Sequence, residues 1–247
     1  MSRWWRSYRL LLLWRVLRIK AELPMFVILQ TAFSVGIIFG FSYLLPPEAT
    51  HPDFLMYLAT GSITMSIITI GMVIAPQGIA TGKQDGTLDY DKTLPVPRMA
   101  IMMADVSIWS LASLPGLVAA FVLAGLRLDI SFQVSPLLLP AILLVMLAST
   151  AVGFGLAYAF KPMVTLMVTQ LLVFFILMFS PVNFPADRLP EWLQAVHRAL
   201  PIEPMAEIIR TTLSVPAGGV SPTPFLLVGV WCVLGLVITY RVMARRV

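Results

Sequence analysis

Residues without charge come in long unbroken runs along this chain. Leu23–Pro47, Phe54–Gly82, Val106–Leu126, Ile130–Phe160, Pro162–Ala186 and Thr211–Tyr240 contain no Asp, Glu, Lys or Arg, and the shortest has 21 residues. About 20 apolar residues in a helix cross about 30 Å of hydrocarbon. The pattern therefore predicts six membrane-spanning helices, with most of the charge in the links between them. The first run is too long for a cleaved signal peptide, and no small-residue cleavage site follows it. Pro and Gly interrupt several spans: Gly71 and Pro76 in span two, Pro115 and Gly116 in span three, Pro140 and Gly153 in span four. In lipid such breaks are tolerated where a neighbouring helix or cavity water satisfies the freed carbonyls. Span one carries Gly36 and Gly40 in the small-xxx-small spacing that lets backbones approach closely. Packing within the subunit and contact with a second copy both fit that motif.

Composition narrows the class. Of 247 residues, 59% are hydrophobic and 12% charged, against about 25% charged in soluble domains; mean hydropathy is +0.90. Polar surface is too scarce to cover a water-soluble globule, so a soluble enzyme and a nucleic-acid-binding module are excluded. The net charge of +5 is a topology signal rather than a binding patch. Thirteen of the 17 basic residues fall before span one, between spans two and three, at Lys161 and in the tail; Arg127, Arg188, Arg198 and Arg210 fall on the other side. The Lys/Arg excess places both termini in the cytoplasm. With Cys232 as the single cysteine, no intrachain disulfide forms.

Three segments are more than simple spans or links. Trp4–Lys20 mixes Trp4, Trp5, Tyr8 and Trp14 with five arginines and lysines after Arg3, which reads as an interfacial helix or as a plain topology signal. In Lys83–Arg98, Asp85 or Thr87 is placed to cap a short helix whose first turn holds Asp89 and Asp91, with Pro95 and Pro97 ending it. Such a helix suits docking to a partner, although short capped turns are common. In the link between spans five and six, Leu189, Trp192, Leu193, Val196 and Leu200 share one helical face. A second helix there places Met205, Ile208, Ile209 and Leu213 on one side and Glu203, Glu207 and Arg210 on the other, as a solvated salt-bridged face. Together with Pro185 and Trp192 these residues outline a re-entrant hairpin or lid.

Site chemistry is sparse. His51 and His197 stand alone in outer links and read as surface groups, and no metal-ligand cluster, HExxH or CxxC spacing occurs. Gly78–Lys83 resembles a phosphate-binding loop but has three residues between its glycines and Gln84 after the lysine, so it does not bind ATP. Asp105 is the one acid near the membrane, too little for an ion relay. Spans one, two and five carry Phe33, Met72, Phe174, Phe175 and Met178, with hydroxyls, Gln30 and Gln170 as polar groups. Met and Phe form an adaptable apolar surface, a candidate cargo path, or simply pack the bundle.

The layout resembles the permease subunit of a type-2 ABC exporter, most of all the drug and antibiotic exporters of the daunorubicin-resistance type. Two segments carry the resemblance: Asp85-Gly86-Thr87-Leu88-Asp89 running to Leu94-Pro95-Val96-Pro97-Arg98, and Pro181-Val182-Asn183-Phe184-Pro185 followed by Leu189-Pro190-Glu191-Trp192-Leu193, Leu200-Pro201 and Glu207 to Arg210. Asp105 departs from the pattern, since many relatives have a basic residue there, and Lys83-Gln84-Asp85 is less acidic than usual. The resemblance implies an all-α integral membrane fold: an interfacial helix (1–22), a six-span bundle with an outer hairpin (23–240) and a basic tail (241–247). It implies a homodimer or heterodimer of permeases with two copies of a separate ATPase, which would hold ATP and Mg, this chain holding no cofactor. Asp85, Gly86, Thr87, Leu88, Asp89 and Leu94 would form the coupling helix to that ATPase. Spans one and five would meet the second permease, with cargo passing along their interface in a prokaryotic inner membrane. The expected function is outward export of a hydrophobic or amphipathic small molecule. A polysaccharide or lipid-linked glycan exporter, an ATPase-independent transporter or channel, and a membrane-anchored structural protein stand as alternatives.

Overall fold

The computed structural model describes residues 3–20, 23–44, 52–128, 130, 132–214 and 219–244. His51 and the tail residues Arg245 and Arg246 lie outside the described residues. Every regular element among those described is helical: α1 (Arg3–Ile19), α2 (Leu23–Leu44), α3 (Pro52–Ile68), α4 (Ala75–Gln84), α5 (Thr87–Thr93), α6 (Arg98–Ala112), α7 (Leu114–Leu128), α8 (Leu138–Ala159), α9 (Pro162–Phe179), α10 (Glu191–Ala199), α11 (Ile202–Ser214) and α12 (Thr223–Ala244). Among the described residues, six stretches are long and apolar enough to cross a membrane, beginning at Leu23, Phe54, Arg98, Leu138, Pro162 and Thr223. Spans two and three are each built from two helices, α3 with α4 and α6 with α7.

Span two is the buried centre. Ile63, Met65, Ile67 and Ile68 are all at most 2% exposed and pack with Met146, Met205 and Ile208 in the main core cluster. Its hydroxyls offer no polar path: Thr60, Ser62, Thr64, Ser66 and Thr69 each donate to a carbonyl three or four residues earlier, at 2.7–2.8 Å. Between α3 and α4 the chain widens into a π-helical turn, Thr69–Ile74. Pro76, second in α4, has no N–H to continue the ladder, and the wider turn absorbs the break. There the backbones of spans two and four touch: a Cβ on Gly71 would overlap the Ser149 side chain, and one on Gly153 would overlap the Gly71 carbonyl oxygen. Spans four and six meet likewise, Gly235 lying against the Ala151 carbonyl and 3.4 Å from the Cβ position of Gly155. Without a hydrophobic drive between helices in lipid, such close approach supplies the van der Waals contact.

Span three bends at Ser113. Its freed Ala112 carbonyl accepts the Gln30 amide at 3.0 Å, and a Cβ on Gly116 would collide with Gln30. Gln30, expected as a polar group toward cargo, instead repairs this break. Boundaries also differ from those expected. Span four begins at Leu138 rather than Ile130: residues 132–135 are not helical, as expected ahead of Pro136, which disfavours helix at the residue before it. Gln133 and Ser135 donate their N–H groups to Leu213 and Thr212 carbonyls at 2.9 Å. Thr211–Ser214 thus belong to α11 and span six starts at Thr223. Pro181 likewise stops span five at Phe179.

Candidate functional site

α5 hangs from the end of span two and is tied to more than one neighbouring element. Gly86 turns the chain from α4 into it with φ of 74°, a left-handed value that costs other residues about 1–2 kcal/mol. Neither Asp85 nor Thr87 makes the side-chain cap expected of them; Gly86 occupies the cap position, and Leu94 ends the helix in extended conformation. Asp89 lies in the first turn. The inner face carries Leu88, which packs against Ile79, Met102 and Phe154, and beyond the helix Leu94, which packs against Leu11 and Ile101. The outer face exposes Asp89, Tyr90 and Thr93.

Asp91 belongs to the inner face. Arg15 of α1 reaches both Asp91 at 2.5 Å and Asp105 of α6 at 2.8 Å, and all three side chains are at most 13% exposed. One guanidinium therefore joins the N-terminal helix, α5 and span three. The five donors of Arg in a rigid fork fit it to hold two carboxylates at once. α1 is fixed further by Tyr8, whose hydroxyl hydrogen-bonds Ser107 at 3.0 Å. Its outward side interleaves Arg6 and Arg9 with Leu10, Leu13 and Leu17, all exposed. The segment flanking α5 is tied down twice more. Lys83 donates to the Ala157 and Phe160 carbonyls at 2.6 and 3.1 Å, and Arg98 to Met243 at 2.7 Å. Contacts from α5 and its flanks thus reach α1 and the ends of spans three, four and six.

The sequence of residues 2–214 matches the model of a family described as ABC-2 type transporter. The chain belongs to the ABC-2 type transporter family. No curated protein matches it. ABC-2 permeases are transport membrane subunits and generally work with an ABC ATPase partner. In this permease, the triad of Arg15, Asp91 and Asp105 escaped sequence reasoning. Asp105 stood out as a departure from relatives, and only the fold brings it to Arg15, 90 residues away.

At the opposite end the hairpin differs from its sequence reading. α10 buries Leu193 and His197, while Trp192 and Val196 point outward, at 68% and 44% exposed. His197 is a buried residue, not a surface one: its ring stacks on Phe175 with centroids 5.5 Å apart. Burial pushes the imidazole below its ordinary 6.5. α11 does bury Met205, Ile208, Ile209 and Leu213. Its polar side is not a salt-bridged face: no ion pair within 4 Å joins Glu203 or Glu207 to Arg210 among the described residues. Arg210 turns inward, donates to the Val182 carbonyl at 2.8 Å and lies 3.7 Å over the Tyr57 ring. Glu207 is exposed; the half-buried Glu203 carboxyl is pushed up by burial and by Glu207. Pro185 precedes a 3-10 turn that leads into the hairpin.

The five candidate cargo residues do not share one surface within this chain. Met72 is a core side chain at 2% exposed, and Phe33 packs against the same core. Phe174, Phe175 and Met178 line the outward side of span five. Gln170 accepts the Gln77 amide at 3.4 Å. Gly36 and Gly40 have open space where a Cβ would stand, so neither is a tight packing point inside the chain.

Proposed function

We propose that this permease is the membrane subunit of an ATP-driven exporter, with α5 seated on a separate ABC ATPase and both termini in the cytoplasm. The observation that carries this reading is the build of α5. Its outer face exposes Asp89, Tyr90 and Thr93, while its inner face and flanks are fastened to α1 and to spans three, four and six. A helix held this way moves the bundle when its outer face is pushed, which a loop between spans does not need. Two copies of the ATPase, each holding ATP and Mg, act on two permeases. The second permease meets span one at Gly36 and Gly40 and the outward side of span five at Phe174, Phe175 and Met178. Cargo moves outward along that seam beneath α10 and α11. Its apolar, Met- and Phe-rich lining suits a hydrophobic or amphipathic small molecule, including drug-like compounds.

The test is ATP hydrolysis by the permease and its ATPase together in nanodiscs. A panel of amphipathic compounds raises the rate in the native complex, and Tyr90→Asp on the exposed face abolishes that rise while leaving membrane insertion intact. An unchanged rise in Tyr90→Asp overturns the role of α5. A rise with a polyprenyl-linked glycan alone overturns the cargo class in favour of glycan export.

A further inference from the structure

Behind α5 lies a cavity of about 270 Å³, between the ends of α1, α4 and α6. Its walls mix Ile79, Leu88, Ile108 and Trp109 with the carboxylates of Asp85, Asp91 and Asp105 and the guanidinium groups of Arg15 and Arg18. Three carboxylates thus face two cations. Arg15 is already shared between Asp91 and Asp105, and Arg18 is exposed at the end of α1. Asp91 is 3% exposed, and its Oδ1 has no hydrogen-bond partner. A buried acceptor left unmade in this way costs free energy that a donor from a ligand recovers. Apolar walls with a few convergent polar groups are the usual make-up of a small-molecule site.

The geometry points to a binding site for a small organic cation, an ammonium on a compact apolar body. The ammonium donates to Asp91 Oδ1, and the body lies against Trp109 and Ile108. At about 270 Å³ the cavity takes a single-ring molecule rather than a drug-sized one. Aromatic Trp109 adds the attraction of a cation for a π face. Lying behind the helix and not along the seam between permeases, the site is distinct from the proposed cargo path.

Equilibrium binding to the full chain in nanodiscs tests the site with three probes of one skeleton: 2-phenylethylammonium, 2-phenylethanol and phenylacetate. Neither an ATPase nor transport is needed, so the outcome is independent of the exporter reading. The cation is expected to bind saturably, about tenfold or more tighter than the neutral probe, with no binding of the anion. Asp91→Asn should erase the preference for the cation. Thr81→Trp, from an exposed wall position, should block the cavity without touching Arg15 or its carboxylates. Equal binding of cation and alcohol, unchanged binding in Thr81→Trp, or no saturable binding of the cation would each overturn the assignment.

Discussion

Replacing Arg15 with Met removes the one cation held between Asp91 and Asp105 and leaves two carboxylates buried side by side. Their side chains are 4% and 7% exposed, so water does little to screen them. Breaking a buried ion pair by removing one partner costs about 3–5 kcal/mol, whereas replacing the whole group by apolar residues is often neutral. The Arg15→Met chain should therefore unfold more readily by about 3–5 kcal/mol, two to nearly four powers of ten in the folding equilibrium. Arg9→Met, on the exposed side of the same helix, should stay within about 0.5 kcal/mol. Combining Arg15→Met with Asp91→Leu and Asp105→Leu should recover most of the loss. Unfolding in mixed detergent micelles, followed by circular dichroism over a denaturing-detergent titration, measures all three. The triad is refuted as a structural clamp if Arg15→Met and Arg9→Met unfold at the same denaturant level. A triple variant no better than the single one would show that the charges were not the cause.

Three further outcomes follow from the packing and the charges. Gly153→Ala should destabilise the bundle by about 1–3 kcal/mol through its clash with the Gly71 carbonyl, while Gly40→Ala should leave the isolated chain unchanged; the same detergent titration distinguishes them. Because burial lowers the folded pKa of His197, its contribution is present above about 6.5 and is lost as pH falls, so melting temperature should drop on acidification in the native chain and not in His197→Phe. In a Cys232→Ala background, Thr93→Cys should resist an impermeant thiol reagent applied outside and Ala195→Cys should react, both positions being exposed; labelling at Thr93 would invert the proposed orientation.

The spans were legible because hydrocarbon thickness imposes a length that no other fold requires, and the charge-free runs reveal it directly. Their ends were less so. Runs such as Ile130–Phe160 include non-helical segments that satisfy their backbone on a distant helix, as Gln133 does on Leu213, and hydrophobicity cannot separate these from a helix. The short helix at Thr87–Thr93 was readable from turn and breaker residues, yet its cap came from the φ of Gly86 and not from a side chain. The hairpin's apolar face was misjudged at Trp192 and Val196, since beside lipid an apolar residue is as content outside the protein as within it. The same ambiguity hid Met72 in the core. Arg15, Asp91 and Asp105 have no local pattern at all: three charges from three elements meet only when the chain folds.

Crosslinking from α5 tests the central claim most directly. A photoreactive amino acid in place of Tyr90, which is 60% exposed, is activated in native membranes, and the adduct is identified by peptide mass spectrometry. The account predicts an adduct with a nucleotide-binding subunit whose peptides include a G-x-x-x-x-G-K-[ST] loop. The same probe at Trp192 on the hairpin should give no such adduct. Crosslinks from Tyr90 to lipid alone, with the ATPase present in the membrane, would contradict it.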